Sequence, residues 1–133
     1  MLKINLITVL CCLTFFASAQ STEKMAAWLN EHTNLAMVNQ GLYLNFMPSS
    51  TKITANEMIF TYGGGKELQL KWADVTGVDD LDNKYKSVTV YYHSESENTN
   101  GRILFIQENQ EQRNQYLVYA KAIALHNKAK LKD

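Results

Sequence analysis

The chain has 133 residues, of which 46% are hydrophobic, and its 13 basic and 13 acidic side chains give a formal net charge of zero. This length is enough for one domain with a hydrophobic core. A near-neutral chain without a dense basic run argues against nucleic-acid binding, because that binding relies on lysine and arginine to neutralise phosphates.

The N-terminus has the pattern of a secretory signal peptide. Lys3 is followed by the apolar run INLITVLCCLTFF at 4–16, and residues 17–19 read ASA, which signal peptidase recognises. The apolar run is shorter than the roughly 20 residues of a membrane-spanning helix. We therefore predict an exported protein, periplasmic or secreted, that is cleaved after Ala19. One α+β domain then occupies residues 20–133, with no integral membrane segment.

Both cysteines of the chain, Cys11 and Cys12, lie inside this apolar run. Removing residues 1–19 leaves 114 residues without cysteine. A disulfide framework, a thiolate nucleophile and a cysteine metal site are thereby excluded from the mature chain. The predicted domain must be stabilised by its own core.

The mature chain begins with helical periodicity. Ser21 or Thr22 can cap a helix at its start, and Gly41 can end it. Between them, residues of one helix face recur at three- and four-residue spacing, which predicts an amphipathic helix of about five turns. The residues of this face are Met25, Trp28, Leu29, His32, Leu35 and Ala36.

The periodicity changes to alternation after Gly41, which indicates strands. The segment 42–46 alternates weakly, 52–62 is a strand pair or one bent strand, and 66–72 alternates clearly. The side chains predicted to face inward are Ile53, Met58, Phe60, Leu68, Leu70 and Trp72.

Three glycines at 63–65 precede Lys66 and raise the question of a phosphate-binding loop. Such a loop needs a helix to begin at its lysine, so that backbone amides point at the anion. Here Lys66 begins a strand, and the Walker spacing is missing. The glycines instead supply the positive φ values of a hairpin turn.

Three further β segments follow. They are a short strand around Val75 and Val78, a strong strand at 86–94 and a last strand at 102–107, with a polar loop at 95–101 that turns at Asn100-Gly101. In the strong strand Val88, Val90 and Tyr92 alternate with Thr89, Tyr91 and His93.

The C-terminal segment predicts a second helix from about 110 to 130. Asn109 and Gln112 resemble a capping box, and the basic tail HNKAKLKD at 126–133 is typical of a solvated helix end. The predicted order is a helix, five to seven antiparallel strands and a second helix. The apolar face of such a sheet must be covered by a second layer, which the terminal helices can provide. The apolar stripe of the second helix is Tyr116, Leu117, Ala120, Ile123 and Ala124.

The segment from about 51 to 128 resembles the pleckstrin-homology-like (PH-like) superfold, in particular bacterial PH and GRAM-type domains. The resemblance rests on ITANEMIFTYGGGKELQLKW, WADVTGV, VTVYYH, ILFI and the closing amphipathic helix, in that order. It implies a strongly bent antiparallel sheet or partly open barrel whose C-terminal helix plugs one end. The long first helix departs from the family. The alternative layout is a cystatin- or NTF2-like helix across a curled sheet.

No residue pattern predicts a catalytic, cofactor or metal site. The spacing of His32, His93 and His126 does not indicate that they converge on a metal, and the loop DDLDN at 79–83 fails the EF-hand pattern. No G-x-S-x-G motif occurs. The loops lack the basic cluster of lipid-binding PH domains, so phosphoinositide binding is not implied. We therefore predict a non-enzymatic module without a cofactor.

The predicted interaction surface is the sheet around Tyr91, His93 and Arg102, in the strands 86–94 and 102–107. Tyr91 should point outward if Tyr92 points inward, and outward tyrosines with polar neighbours suit peptide or sugar binding, although an exposed cross-strand tyrosine pair has the same pattern. PH-like domains often bind a protein or peptide by extending their sheet.

The alternative function is a small-ligand pocket of the cystatin- or NTF2-like layout. It would lie between the first helix and the sheet and be lined by Trp28, Phe46 and Trp72.

Overall fold

The structure is a computed structural model that describes residues 21–41, 44–82 and 84–132. The predicted signal peptide and its cleavage site lie outside the described residues. Among the helices that the structure describes, none is long and apolar enough to cross a membrane.

Two helices and eight strands are described. The chain is helical over 21–31, which we call α1. The remaining elements are β1 (Ala36–Gln40), β2 (Leu44–Phe46), β3 (Ser50–Ile53), β4 (Glu57–Tyr62), β5 (Lys66–Lys71), a 3-10 turn (Trp72–Asp74), β6 (Val75–Asp79), β7 (Ser87–Ser94), β8 (Thr99–Ile106) and α2 (Gln110–His126).

The strands form two antiparallel sheets. One has five strands in the order β2-β1-β8-β7-β6, and the other has three in the order β3-β4-β5. Helix α2 packs against β6, β7 and the 3-10 turn. The α+β architecture with a helix at each end and α2 on the sheet is confirmed, but the described strands form two sheets and no closed barrel.

The residues that were predicted to face inward from their alternation along the strands form part of the core. Of the six predicted inward residues in the middle strands, five are buried and Leu68 is half-buried. The segment 52–62 is a strand pair, and the three glycines at 63–65 take φ values of 33°, 76° and 90° in the hairpin between β4 and β5. Asn109 Oδ1 accepts a hydrogen bond from Gln112 N at 3.0 Å, so the predicted cap of α2 is confirmed.

The first helix is shorter than predicted. It ends at Glu31, where Thr33 Oγ1 donates to the carbonyl of Leu29 at 2.6 Å and thereby occupies one of the last helical acceptors. The chain then enters β1, in which Ala36, Val38 and Gln40 are buried alternately. Strand β1 pairs with β8, and this long-range ladder satisfies backbone groups that a longer helix would have paired locally.

Two other boundaries differ from the sequence prediction. The turn between β7 and β8 lies at 95–98, where Asn98 has a φ of 48°, and Asn100-Gly101 belongs to β8. Helix α2 ends at His126, four residues before the predicted 130. The tail is therefore not a solvated helix end, because the chain reverses at Lys128 with a φ of 64°.

The buried hydroxyl of Tyr116 should make the stability of the fold depend on pH. Burial raises the pKa of its hydroxyl well above the ordinary 10.0. The hydroxyl is hydrogen-bonded to Thr33 Oγ1 at 2.6 Å. Above pH 10 the unfolded chain loses this proton while the folded chain keeps it. Stability should therefore fall as pH rises, by up to about 1.4 kcal/mol per pH unit for this group.

We expect Tyr116→Phe to remove this part of the alkaline slope in urea unfolding between pH 9 and 11. At neutral pH the variant should lose about 1 kcal/mol with the hydrogen bond. Thr33→Val is the control, because it removes the same hydrogen bond and keeps the titrating hydroxyl. An identical slope in Tyr116→Phe and the unmodified protein would contradict the prediction.

Candidate functional site: a groove between β6 and α2

A groove of about 1090 Å³ lies beside β6, which is an edge strand of the five-stranded sheet. Strands β6, β7 and β8 form one side of it, and α2 with the chain that follows α2 forms the other. The lining residues of this groove, called here the β6–α2 groove, are Thr76, Gly77, Val78, Asp79, Leu81, Tyr91, Tyr92, His93, Asn100, Gly101, Lys121, Leu125, Leu131 and Lys132.

Strand β6 is irregular at the groove. Its pairing with β7 shifts register between Val75 and Gly77, so Thr76 is an extra residue in the ladder. Such a bulge leaves backbone groups of the extra residue outside the regular pairing. The carbonyl of Thr76 accepts a hydrogen bond from Lys132 N at 2.8 Å, which brings the C-terminal segment to the edge of the sheet.

Tyr91 is the centre of the polar part of the groove. It is the cross-strand partner of Gly77 on β6 and of Arg102 on β8, so the three residues form one row across the sheet. Burial raises the pKa of Tyr91 above its ordinary 10.0, the nearby Asp79 carboxylate adds to this increase, and Arg102 counteracts it. Tyr91 therefore remains a protonated donor at neutral pH.

His93 lies two residues further along the same face. It pairs in register with Asn100 of β8, and its Nδ1 donates to Asn100 Oδ1 at 2.8 Å. Alternation along β7 therefore brings Tyr91 and His93 into one site, and the pairing of β7 with β8 adds Arg102. Tyr91, His93 and Arg102 therefore lie on neighbouring positions of β7 and β8, and Arg102 is next to the lining residues without being one of them.

Tyr92 points to the other side of β7 and forms a buried wall. Its ring lies over Gly101, and its hydroxyl donates to Gln40 Oε1 at 2.6 Å. Gln40 Nε2 in turn donates to Glu97 Oε2. This network connects β7, β1 and the 95–98 turn, so the wall is held by fixed contacts.

A metal site is not assembled by the candidate residues. In the described part of the chain, no group of three histidine, cysteine or acidic residues could hold a metal ion. The carboxylates of the 79–82 loop make local turns, since Asp79 Oδ1 accepts from Leu81 N at 3.3 Å and Asp82 Oδ1 accepts from Lys84 N at 2.9 Å.

The three aromatic residues of the alternative pocket make separate contacts in the described part of the chain. Trp72 is completely buried, and its Nε1 donates to the carbonyl of Thr54 at 2.9 Å. Trp28 stacks on His32, and Phe46 stacks on Tyr62. None of the three lines the β6–α2 groove or a second cavity of about 520 Å³ at the other end of the sheet.

The groove also contains residues that the sequence interpretation did not single out. They are Lys121 and Leu125 on α2 and Leu131 and Lys132 after it. The alternation of AKLK at 129–132 was a usable signal for an extended segment, but the helical pattern that precedes it concealed it.

The chain is similar in structure to the PH domain from PfAPH, with a TM-score of 0.51 over 77% of this chain and 91% of that chain. The two sequences are 12% identical, so the similarity concerns the fold. No family model and no curated protein matches the sequence. The described architecture and this similarity together give the chain a PH-like fold, as the resemblance implied.

Proposed function

We propose that this domain is a non-catalytic binding module that takes up a protein or peptide segment in the β6–α2 groove. The observation that carries the proposal is the position of the groove along β6, an edge strand of the sheet. An edge strand can pair with an extended chain through its backbone, while adjacent pockets select alternate side chains. A PH-like fold supports a binding role because it presents its sheet edges beside a terminal helix.

The chemistry of the groove favours a peptide over a purely apolar ligand. Leu125 and Val78 supply apolar contact, whereas Asp79, Tyr91 and His93 supply hydrogen-bonding groups around it. Small-molecule sites are mostly apolar concave cavities with few polar groups. An open groove with polar groups along a strand suits a ligand that carries its own backbone donors and acceptors.

We propose a non-catalytic role because Tyr91 and His93, two polar side chains of the groove, are poorly suited to proton transfer. The raised pKa of Tyr91 makes it a poor general base, and His93 Nδ1 is bound to Asn100.

We further propose that the protein is exported and loses residues 1–19. N-terminal sequencing of the protein recovered outside the cytoplasm should then begin at Gln20.

Selection of displayed random 12-residue peptides against the purified protein tests the binding proposal. We expect enriched peptides that perturb the amide NMR resonances of Gly77, Tyr91 and His93. Tyr91→Ala or Arg102→Glu should weaken their binding at least tenfold. Lys52→Glu is the matched control, because Lys52 is an exposed residue on β3 of the other sheet. No enriched peptide, or perturbations confined to another surface, would overturn the proposal.

A further inference from the structure

The chain reverses direction immediately after α2. Lys128 N donates to the carbonyl of Leu125 at 3.0 Å, and Ala129 N donates to the carbonyl of Ala124 at 3.0 Å. With Lys128 at a φ of 64°, this is the type of helix end in which a left-handed residue redirects the chain. The next four residues, 129–132, are called here the returning segment.

The returning segment has the alternation of an extended chain. Ala129 is buried and Leu131 is half-buried against the core, while Lys130 and Lys132 are exposed. This alternate burial is typical of an extended strand, because successive side chains of a strand point to opposite sides. Two apolar side chains therefore face the domain, and two lysines face solvent.

The returning segment lies at the edge position that the proposed ligand would use. Lys132 N bonds to the carbonyl of Thr76, which the bulge makes available. Lys132 O lies 3.9 Å from the position that a Cβ atom on Gly77 would take. Leu131 and Lys132 both line the groove.

From this geometry we propose that the returning segment, which forms part of the groove's wall, covers the β6 edge position, and that an external extended segment with an apolar residue between two lysines binds the groove by replacing it there. This inference rests on the proposed function. The segment acts as an internal competitor, because its attachment to α2 keeps it at a high effective concentration near β6.

The returning segment is attached to the groove by few contacts, so another segment can replace it. One backbone hydrogen bond to β6 and one half-buried leucine are its described attachments to the groove. The charge of the site suits lysines, since Asp79 lines the groove and Asp80 and Asp82 follow in the same loop. Lys121 on the other wall opposes this attraction in part, so the lysines of a ligand should run along the β6 side.

The test uses the full chain with Leu131→Ser and Lys132→Pro together. The first substitution removes the apolar contact, and the second removes the amide that donates to Thr76. The matched control is Lys132→Ala, which removes the same lysine side chain as the test variant and keeps both contacts. The probe is a fluorescein-labelled peptide of residues 128–133, KAKLKD, measured by anisotropy at low salt.

We expect the probe to bind the Leu131→Ser/Lys132→Pro variant at least tenfold more tightly than it binds the control. A probe with serine in place of its leucine should bind the double variant at least tenfold more weakly. Equal binding of the probe to both variants, or no binding to either, would overturn the inference. If the double variant melts well below the control, the single variants Lys132→Pro and Lys132→Ala are compared instead. We then expect the probe to bind Lys132→Pro about threefold more tightly than Lys132→Ala.

The outcome also separates the two proposals. If display-selected peptides bind the groove equally well in the double variant and the control, the proposed function stands and the inference fails. If selected peptides map to another surface, the proposed function fails whatever the probe does. Tighter binding of selected peptides to the double variant supports both.

Discussion

Replacing Trp72 with alanine is expected to lower the free energy of unfolding by about 3–5 kcal/mol. Trp72 is completely buried in the 3-10 turn between β5 and β6, and this turn packs against α2 and β7. Removing the indole leaves a cavity where three elements meet, and it also leaves the carbonyl of Thr54 without its hydrogen bond. For a domain with a typical stability of about 5–15 kcal/mol, the loss would be a large part of the total.

Urea unfolding followed by far-ultraviolet circular dichroism measures this effect without relying on the deleted fluorophore. Trp28→Ala is the matched control, because it removes the same side chain from a half-buried position on α1 and should cost less. Trp72→Phe keeps most of the apolar volume and should cost an intermediate amount. A loss below about 1.5 kcal/mol for Trp72→Ala would show that this indole is not central to the core.

Replacing Gly101 with alanine is expected to cost about 2–4 kcal/mol, because of overpacking together with a lost hydrogen bond. Gly101 lies opposite Tyr92 in the pairing of β7 with β8. A Cβ atom there would stand 2.7 Å from Tyr92 Cε1 and closer still to Cζ and the hydroxyl. The ring can give way only by leaving its buried position and its hydrogen bond to Gln40.

Gly77→Ala is the matched control for this prediction. Gly77 is also a strand glycine on the same sheet, and a Cβ atom there would meet Tyr91 Cδ2 at 3.4 Å, which is ordinary van der Waals contact. We expect a change below about 1 kcal/mol at Gly77 in the same urea experiment. In addition, Tyr92→Leu should make Gly101→Ala far less costly, so a double-mutant cycle should show strong coupling. Equal losses at the two glycines would contradict the explanation.

Local sequence patterns predicted most elements of this fold. The alternation of Leu68, Leu70 and Trp72 and of Val88, Val90 and Tyr92 predicted β5 and β7, because a strand that is buried on one side must alternate. Asn109 predicted the start of α2, because a cap acts within three residues of itself. The glycines at 63–65 predicted a turn for an equally local reason, the positive φ values that they take.

Predictions that depended on distant contacts were less accurate. Residues 33–40 continued a helical pattern, yet Ala36–Gln40 is a strand because β8, more than 60 residues away in the chain, offers it a backbone partner. The candidate site likewise contains residues that local patterns predicted and residues that only long-range packing brings there. Tyr91 and His93 follow from alternation along one strand, whereas Lys121 and Leu131 reach the groove only through the packing of α2.

The sequence by itself determined the α+β composition, most strand faces and the start of the second helix, because each follows from contacts between residues near one another in the chain. Only the tertiary structure decided where the first helix ends, that the strands divide into two sheets, and that the C-terminal segment lies against β6. These features depend on which distant backbone and apolar groups pair with each other. The alternation at 129–132 indicates an extended segment, but it does not indicate that Lys132 N bonds to Thr76 O.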